Sequence, residues 1–268
     1  MALRSPNLNV MVSAARMAAK GLIRDFGELE NLQVSRKGPS DFVTVADTRA
    51  EQILKAELSR ARPDYSFLME ESGAQDGADK TRRWIVDPLD GTLNFMHGIP
   101  HFAISIALEE KGEITAGVVY NPVTDDLYTA EKGGGAYHND RRLRVAARTN
   151  FAESVFATGI PFQGRPGHRE FLMRLARVMS VSAGVRRFGV ASLDLAFVAA
   201  GRMDGYWEET LQPWDVAAGI LLVREAGGYV TTVQGTGNPV ATGSVAAANA
   251  ALHPQLLKVL KIDEGGAA

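Results

Sequence analysis

The sequence predicts an α/β (α+β) protein built from layers of helix and sheet, and three patterns in its 268 residues predict it. Two amphipathic helical stretches come first. Three β-rich runs then follow one another between Phe102 and Tyr137 with short turns between them, as in an antiparallel meander. From Val155 onward, short apolar runs alternate with helical stretches instead. A meander beside an alternating half does not fit one doubly wound parallel sheet.

The first helix is expected over Leu8–Phe26. Arg16, Lys20 and Arg24 recur every fourth residue along one stripe, and Met11, Ala15, Leu22, Ile23 and Phe26 fill the other faces. A secretory leader needs an uninterrupted apolar core, which this stripe breaks. No run approaches the roughly 18 apolar residues that span a bilayer. The segment is therefore expected to pack against the body of a cytoplasmic protein with no membrane partner. A second helix is expected over Val45–Arg62. Thr44 with Asp47, or Thr48 with Glu51, offers it a capping box. Ala50, Ile53, Leu54 and Leu58 form its apolar stripe, and Pro63 closes it.

Strands at Ser66–Met69 and Trp84–Val86 lead into the meander of Phe102–Leu108, Ile114–Tyr120 and Leu127–Ala130, punctuated by Lys111-Gly112 and Asn121-Pro122. Gly133-Gly134-Gly135 lacks the lysine and the strand-to-helix context of a phosphate-binding loop, and reads as a β-turn. The alternating half has strands at Val155–Thr158, Val185–Phe188, Gly205–Glu208 and Val245–Ala248. Its helices are Arg169–Ser180, Ala191–Ala200, Pro213–Ala226 and Leu252–Leu260. Pro213 opens the third of them and Gly227-Gly228 follows it. The change of pattern near residues 140–152 marks a soft division of one unit, 1–268, into an N-terminal α+β half and a C-terminal α/β half.

Composition narrows the function. With 46% hydrophobic residues the chain can bury a large core. A formal charge of -2 gives no general basic field for nucleic acid, although a total leaves a local basic patch open. The absence of cysteine excludes disulfides, thiolate nucleophiles and cysteine metal sites.

The chemistry is concentrated in acidic residues at element ends. In Trp84-Ile-Val-Asp87-Pro-Leu-Asp90-Gly-Thr92 an apolar strand runs into Asp-Pro, which puts Asp87 at the strand end. Pro88 sets a turn, and Gly91 lets the backbone approach a ligand. Asp87 and Asp90 can both face one pocket, where a cation would relieve their repulsion. Hard oxygen ligands favour magnesium over zinc. The amides of Gly91 and Thr92 open a short helix and could hold phosphate. Taken singly, these aspartates fit a capped turn equally well. Glu70-Glu71 ends another strand, and alternation would send one glutamate to the pocket and the other elsewhere. Asp215 stands in the first turn of its helix and Asp47 in the first turn of Val45–Arg62, where either could be a plain dipole or cap carboxylate.

Taken together, Glu70-Glu71-Ser72, the Asp87–Thr92 block and Pro213-Trp214-Asp215-Val-Ala-Ala-Gly219 resemble the inositol monophosphatase family in order and approximate spacing, over roughly residues 8–260. The resemblance implies a layered αβαβα sandwich of the inositol monophosphatase / fructose-1,6-bisphosphatase type, a homodimer, and lithium-sensitive, magnesium-dependent hydrolysis of a small phosphorylated polyol or sugar. It implies a first Mg2+ at Glu70, Asp87 and the carbonyl of Leu89, a second at Asp87, Asp90 and Asp215, and a weaker third helped by Glu70. Asp47 and Thr92 match residues that orient the attacking water. The amides of Gly91 and Thr92 match those that take the phosphate, and Asp90, Ala191, Glu208 and Asp215 match polyol contacts. Glu208 stands seven positions before Asp215, as the family pattern requires, although the neighbouring Glu209 leaves the choice of glutamate open. Leu93 departs from the threonine many members carry, a packing change rather than a loss of chemistry.

The expected reaction is direct in-line attack of water on a phosphate monoester, most simply inositol 1-monophosphate, with magnesium lowering the pKa of water and stabilising the leaving oxygen. His97 and His101 flank Pro100 near the site and are expected to be structural. Alternative substrates in the same superfamily are fructose 1,6-bisphosphate, histidinol phosphate and a phosphonucleotide. From a different class, the fold could serve a regulatory binding module with a nucleic-acid or protein partner.

Overall fold

A computed structural model describes residues 4–29, 34–38 and 41–262. Helix α1 (Pro6–Phe26) begins at Ser5, whose Oγ accepts a hydrogen bond from the Leu8 amide. Met11, Ala15 and Leu22 are buried, and Arg16, Lys20 and Arg24 face solvent. Ile23, expected on an apolar face, is exposed. The hairpin β1 (Val34–Gly38) and β2 (Asp41–Thr44) was not legible in the sequence, and residues 39 and 40 lie outside the described residues. Helix α2 (Val45–Ala61) uses the first of the two capping boxes: Thr44 and Asp47 satisfy each other's backbone amides.

The first large sheet comprises β3 (Tyr65–Met69), β4 (Gly73–Gln75), β5 (Asp79–Asp90), β6 (Ala103–Glu110), β7 (Glu113–Asn121), β8 (Asp126–Glu131), β9 (Gly135–His138) and β10 (Arg141–Arg142), in the order β10-β9-β8-β7-β6-β5-β3-β4. The meander pairs antiparallel throughout, among the described residues only β3 and β5 run parallel in this sheet, and the glycine run makes the β8–β9 turn. Two details correct the sequence reading. The strand expected to stop before Asp87 continues to Asp90. Its ladder with β6 slips between Asp87 and Asp90, because Pro88 has no N–H to donate and pairing resumes only at Asp90 with Ala103. Strand β3 ends at Met69, so Glu70 and Glu71 lie in the turn to β4 and strand alternation does not govern their directions.

Helix α3 (Thr92–Met96) follows β5 directly. The second sheet contains β11 (Val155–Thr158), β12 (Gly184–Arg186), β13 (Gly205–Glu208), β14 (Tyr229–Thr231) and β15 (Val245–Ala248), in the order β12-β11-β13-β15-β14. Phe188, expected to end a strand, lies beyond β12. The remaining helices are α4 (His168–Val181), α5 (Ala191–Ala199), α6 (Pro213–Glu225), the short α7 (Pro239–Thr242) and α8 (His253–Leu260).

Burial defines five layers. Helices α1 and α2 cover one face of the eight-stranded sheet, with Leu22, Leu54, Trp84, Val86 and Ile104 in their shared core. Ile85 points to the opposite face, where it meets the layer of α5 and α6. That helical layer also packs on Ala157, Tyr206, Val245 and Ala247 of the five-stranded sheet. Outside lie α4 and α8, through Val178 and Leu256 against Phe156, Trp207 and Ala246. The order is αβαβα, as the resemblance implied.

Candidate active site

The acidic residues meet where β3, β5 and β13 end beside the starts of α2, α3, α5 and α6. Asp87 is buried, and its Oδ1 accepts a hydrogen bond from the Leu89 amide at 2.9 Å, which folds the backbone after Pro88 around the carboxylate. Burial raises its pKa well above the ordinary range. The charges of Glu70, Asp90 and Asp215 raise it further, as does a hydrogen bond shared with Glu70. Asp90 Oδ2 accepts from the Ser192 amide at 2.8 Å, in the first turn of α5. Burial pushes Asp90 up to about 7, with Ser192 opposing and Glu70 and Glu208 reinforcing. Asp215 Oδ2 accepts from the Gln212 amide at 2.8 Å. Burial and the charge of Asp90 push it up to about 8, against the Gln212 bond and the Arg165 cation.

A second constellation adjoins this one. Asp47 Oδ2 takes hydrogen bonds from the amide and hydroxyl of Thr44, while its Oδ1 lies 3.0 Å from Thr92 Oγ1. The same Thr92 oxygen lies 3.1 Å from the Leu89 carbonyl. One hydroxyl has one proton, so Thr92 donates to Asp47 or to Leu89 at any moment. Burial raises the pKa of Asp47 despite the hydrogen bonds from Thr44 and Thr92. Gly91, between the two constellations, sits at φ +96°, and a Cβ there would come within 2.7 Å of Val190 Cγ2. No other residue meets both demands.

Glu208 ends β13, with Tyr206 Oη donating to its Oε2 at 2.6 Å. Burial raises the Glu208 pKa despite that bond and the nearby Arg165 and Arg187. Its carboxyl lies directly over Gly159, where an added Cβ would stand 1.9 Å from Cδ and 2.0 Å from both oxygens. Ala191 is buried at the start of α5, next to the Ser192 amide that holds Asp90. His101 packs against Phe188 and Phe197, a structural setting. Leu93 faces solvent.

Several contributors were not singled out from the sequence. Glu51 Oε2 accepts from the Glu71 amide at 2.8 Å and so anchors the turn carrying Glu70. Ser192 and Tyr206 orient Asp90 and Glu208 by hydrogen bonds, and Gly159 leaves the space that the Glu208 carboxyl fills. Asp194 is fully buried in α5 with neither carboxylate oxygen hydrogen-bonded. Burial and the charges of Glu208 and Asp90 lift its pKa well above normal, opposed by Arg187. Of these, only the position of Ser192 in a helix's first turn carried a local signal.

Among the described residues, no three acidic or imidazole side chains converge as a ready-made metal cage. The carboxylates lie within one another's fields without closing on a single point. Their donor chemistry fits magnesium: hard carboxylate and carbonyl oxygens whose mutual repulsion a cation would relieve.

Comparison with known proteins places this αβαβα sandwich, with acidic side chains gathered at its strand ends, in the class of the phosphoric monoester hydrolases. The inositol monophosphatase family model matches residues 4–263, and the chain belongs to that family. An inositol-1-monophosphatase of Mesorhizobium japonicum is 59% identical over 96% of this chain and 97% of its own. The Nus factor SuhB of Escherichia coli K12 is 40% identical over 95% and 94%. The crystal structure of the extragenic suppressor protein suhB from Bartonella henselae superposes with a TM-score of 0.94 at 55% identity, covering 97% of this chain and all of the other. No helix among the described residues is long and apolar enough to cross a membrane.

Proposed function

We propose that the chain hydrolyses inositol 1-monophosphate, or a polyol monophosphate close to it, to the alcohol and inorganic phosphate with Mg2+. The observation that carries this reading is the packing of Glu70, Asp87, Asp90 and Asp215 into one shared field beside the Gly91–Thr92 turn. Asp87, Asp90, Asp215, Glu70 and the Leu89 carbonyl would hold two or three Mg2+ ions. When bound, magnesium supplies positive charge against the phosphoryl oxygens and lowers the pKa of water.

The chain's own groups do the rest. The Gly91 and Thr92 amides hold phosphate oxygens at the start of α3. The Thr92 hydroxyl, donating to Asp47, presents its oxygen lone pairs to the attacking water. Asp47, its proton affinity raised by burial, receives the proton relayed through Thr92 Oγ1. Glu208 and Ala191 meet the alcohol part, where the Glu208 carboxylate accepts hydrogen bonds from polyol hydroxyls and repels a second phosphate. That repulsion favours a monophosphate over a bisphosphate. The same reading makes the protein a cytoplasmic homodimer inhibited by lithium.

A second reading, a regulatory role through a protein or nucleic-acid partner, is supported by the Nus factor name of the 40%-identical relative. It is compatible with catalysis. Phosphate release across a panel of polyol, sugar and nucleotide phosphates, with and without magnesium, tests the primary reading. Magnesium-dependent release from inositol 1-monophosphate is expected, and release from no member of the panel would overturn it.

A further inference from the structure

Beside Glu208 lies a cavity of about 440 Å3, bounded by the 159–167 loop, the start of α4 and residues 207–210. Its volume falls within the range of small-molecule sites. Its wall is mixed: Arg165, Glu170, Arg174, Glu208 and Glu209 line part of it, while Ile160, 45% exposed, and the half-buried Phe162 turn hydrocarbon toward water inside the concavity. Over the Phe162 ring, 4.1 Å from its centroid, lies the guanidinium of Arg165, which Nη1 ties to the Thr210 carbonyl at 2.8 Å. A cation held over a phenyl ring gives this wall both charge and an aromatic surface, against which another ring can pack. Glu208 itself lines the cavity beside Arg165, so this wall adjoins the acidic cluster.

We propose that this cavity receives an aromatic substituent carried by the alcohol part of the substrate, so that aryl-bearing polyol or sugar monophosphates are used better than bare ones. The proposal rests on the reading that the phosphate lies by Asp90 and Asp215 and the hydroxyls by Glu208, since the cavity then lies farther along the same molecule. A bare polyol leaves Ile160 and Phe162 facing water. An aryl group covers them and gains the corresponding burial.

The test compares kcat/KM for phenyl β-D-glucopyranoside 6-phosphate and its methyl counterpart at saturating magnesium. A preference for the phenyl ester of about tenfold or more is expected, and the combined Ile160→Ala and Phe162→Ala change should bring the ratio near one. Equal use of the two esters by the wild-type protein, or a ratio unmoved by the double change, would overturn the proposal. A separate arm titrates phenyl β-D-glucopyranoside against tryptophan fluorescence, with Trp207→Phe as control and the methyl glucoside as blank. Saturable quenching by the phenyl compound that the double change abolishes supports the cavity even if no ester is hydrolysed. The phosphatase reading is then judged separately by the phosphate-release panel, where release from no member would overturn it. No quenching overturns the cavity while leaving the phosphatase reading standing.

Discussion

Gly159→Ala should damage substrate selection without damaging the fold. The added Cβ would lie 1.9 Å from Glu208 Cδ, whereas ordinary contact begins near 3.4 Å, so the carboxyl must retreat by about 3.4 − 1.9 = 1.5 Å. The group that moves is the free end of a flexible side chain, so the backbone of β11 and β13 can stay in place. The retreat breaks the 2.6 Å bond from Tyr206 Oη and pulls the carboxylate from the hydroxyls it would meet. Losing one charge-assisted hydrogen bond costs about 1.5–3 kcal/mol, or about tenfold or more in kcat/KM. Initial rates of phosphate release at saturating magnesium should fall by that factor on inositol 1-monophosphate and change little on glycerol 2-phosphate. In a Glu208→Ala background the same glycine change should cost nothing more, because the clashing partner is gone. Wild-type efficiency on inositol 1-monophosphate in a folded Gly159→Ala protein, or an undiminished loss in the Glu208→Ala background, would refute the reasoning.

Three further outcomes follow from the acidic cluster. Asp87→Asn and Asp90→Asn should each lower turnover at least about a hundredfold, since each removes charge that positions cations against the phosphoryl group; near-normal rates at saturating magnesium with intact folding would count against the two-metal arrangement. Glu70→Gln should weaken magnesium activation much more than Glu71→Gln, and magnesium titrations showing the reverse order would assign the ligand to Glu71. Without magnesium, melting temperature should fall as pH rises from 5 to 8. Asp90 and Asp215 have folded pKa values of about 7 and 8, above their unfolded values, so the stability they contribute is fully present at low pH and lost on ionisation. Added magnesium should offset that loss most at pH 8, and a metal-free melting curve rising over this window would contradict the assignment.

The parts of the site that were legible in the sequence are those whose partners lie close along the chain. Asp87, Asp90 and Gly91 belong to one turn, and Asp47 and Asp215 to helix starts whose capping chemistry is local. The strands Val155–Thr158, Gly205–Glu208 and Val245–Ala248 were legible because each is a short apolar run bounded by polar or glycine residues. Contacts between distant segments left no such trace. Ser192 reaches Asp90 across 102 positions, and Glu51 reaches the Glu71 amide across 20. Strands β4, β10 and β14, of two or three residues each, are too short to show a period. The extension of β5 through Asp87 was hidden by Pro88, which marks a strand end locally yet here marks only a slip in pairing.

The Asp90–Ser192 hydrogen bond links the end of a strand in the first sheet to the start of a helix in the layer between the sheets. Strands of the first sheet finish at Arg142, and those of the second begin at Val155. A nascent chain released only as far as Arg142 therefore already contains Asp87, Asp90 and Thr92 but none of Ser192, Glu208 or Asp215. Such a chain has the acidic turn without the amide that aims it or the carboxylate that completes it. On the proposed reading, such a chain would lack phosphoester chemistry until synthesis is nearly finished, and a protease cut between the sheets should silence the protein once the pieces part.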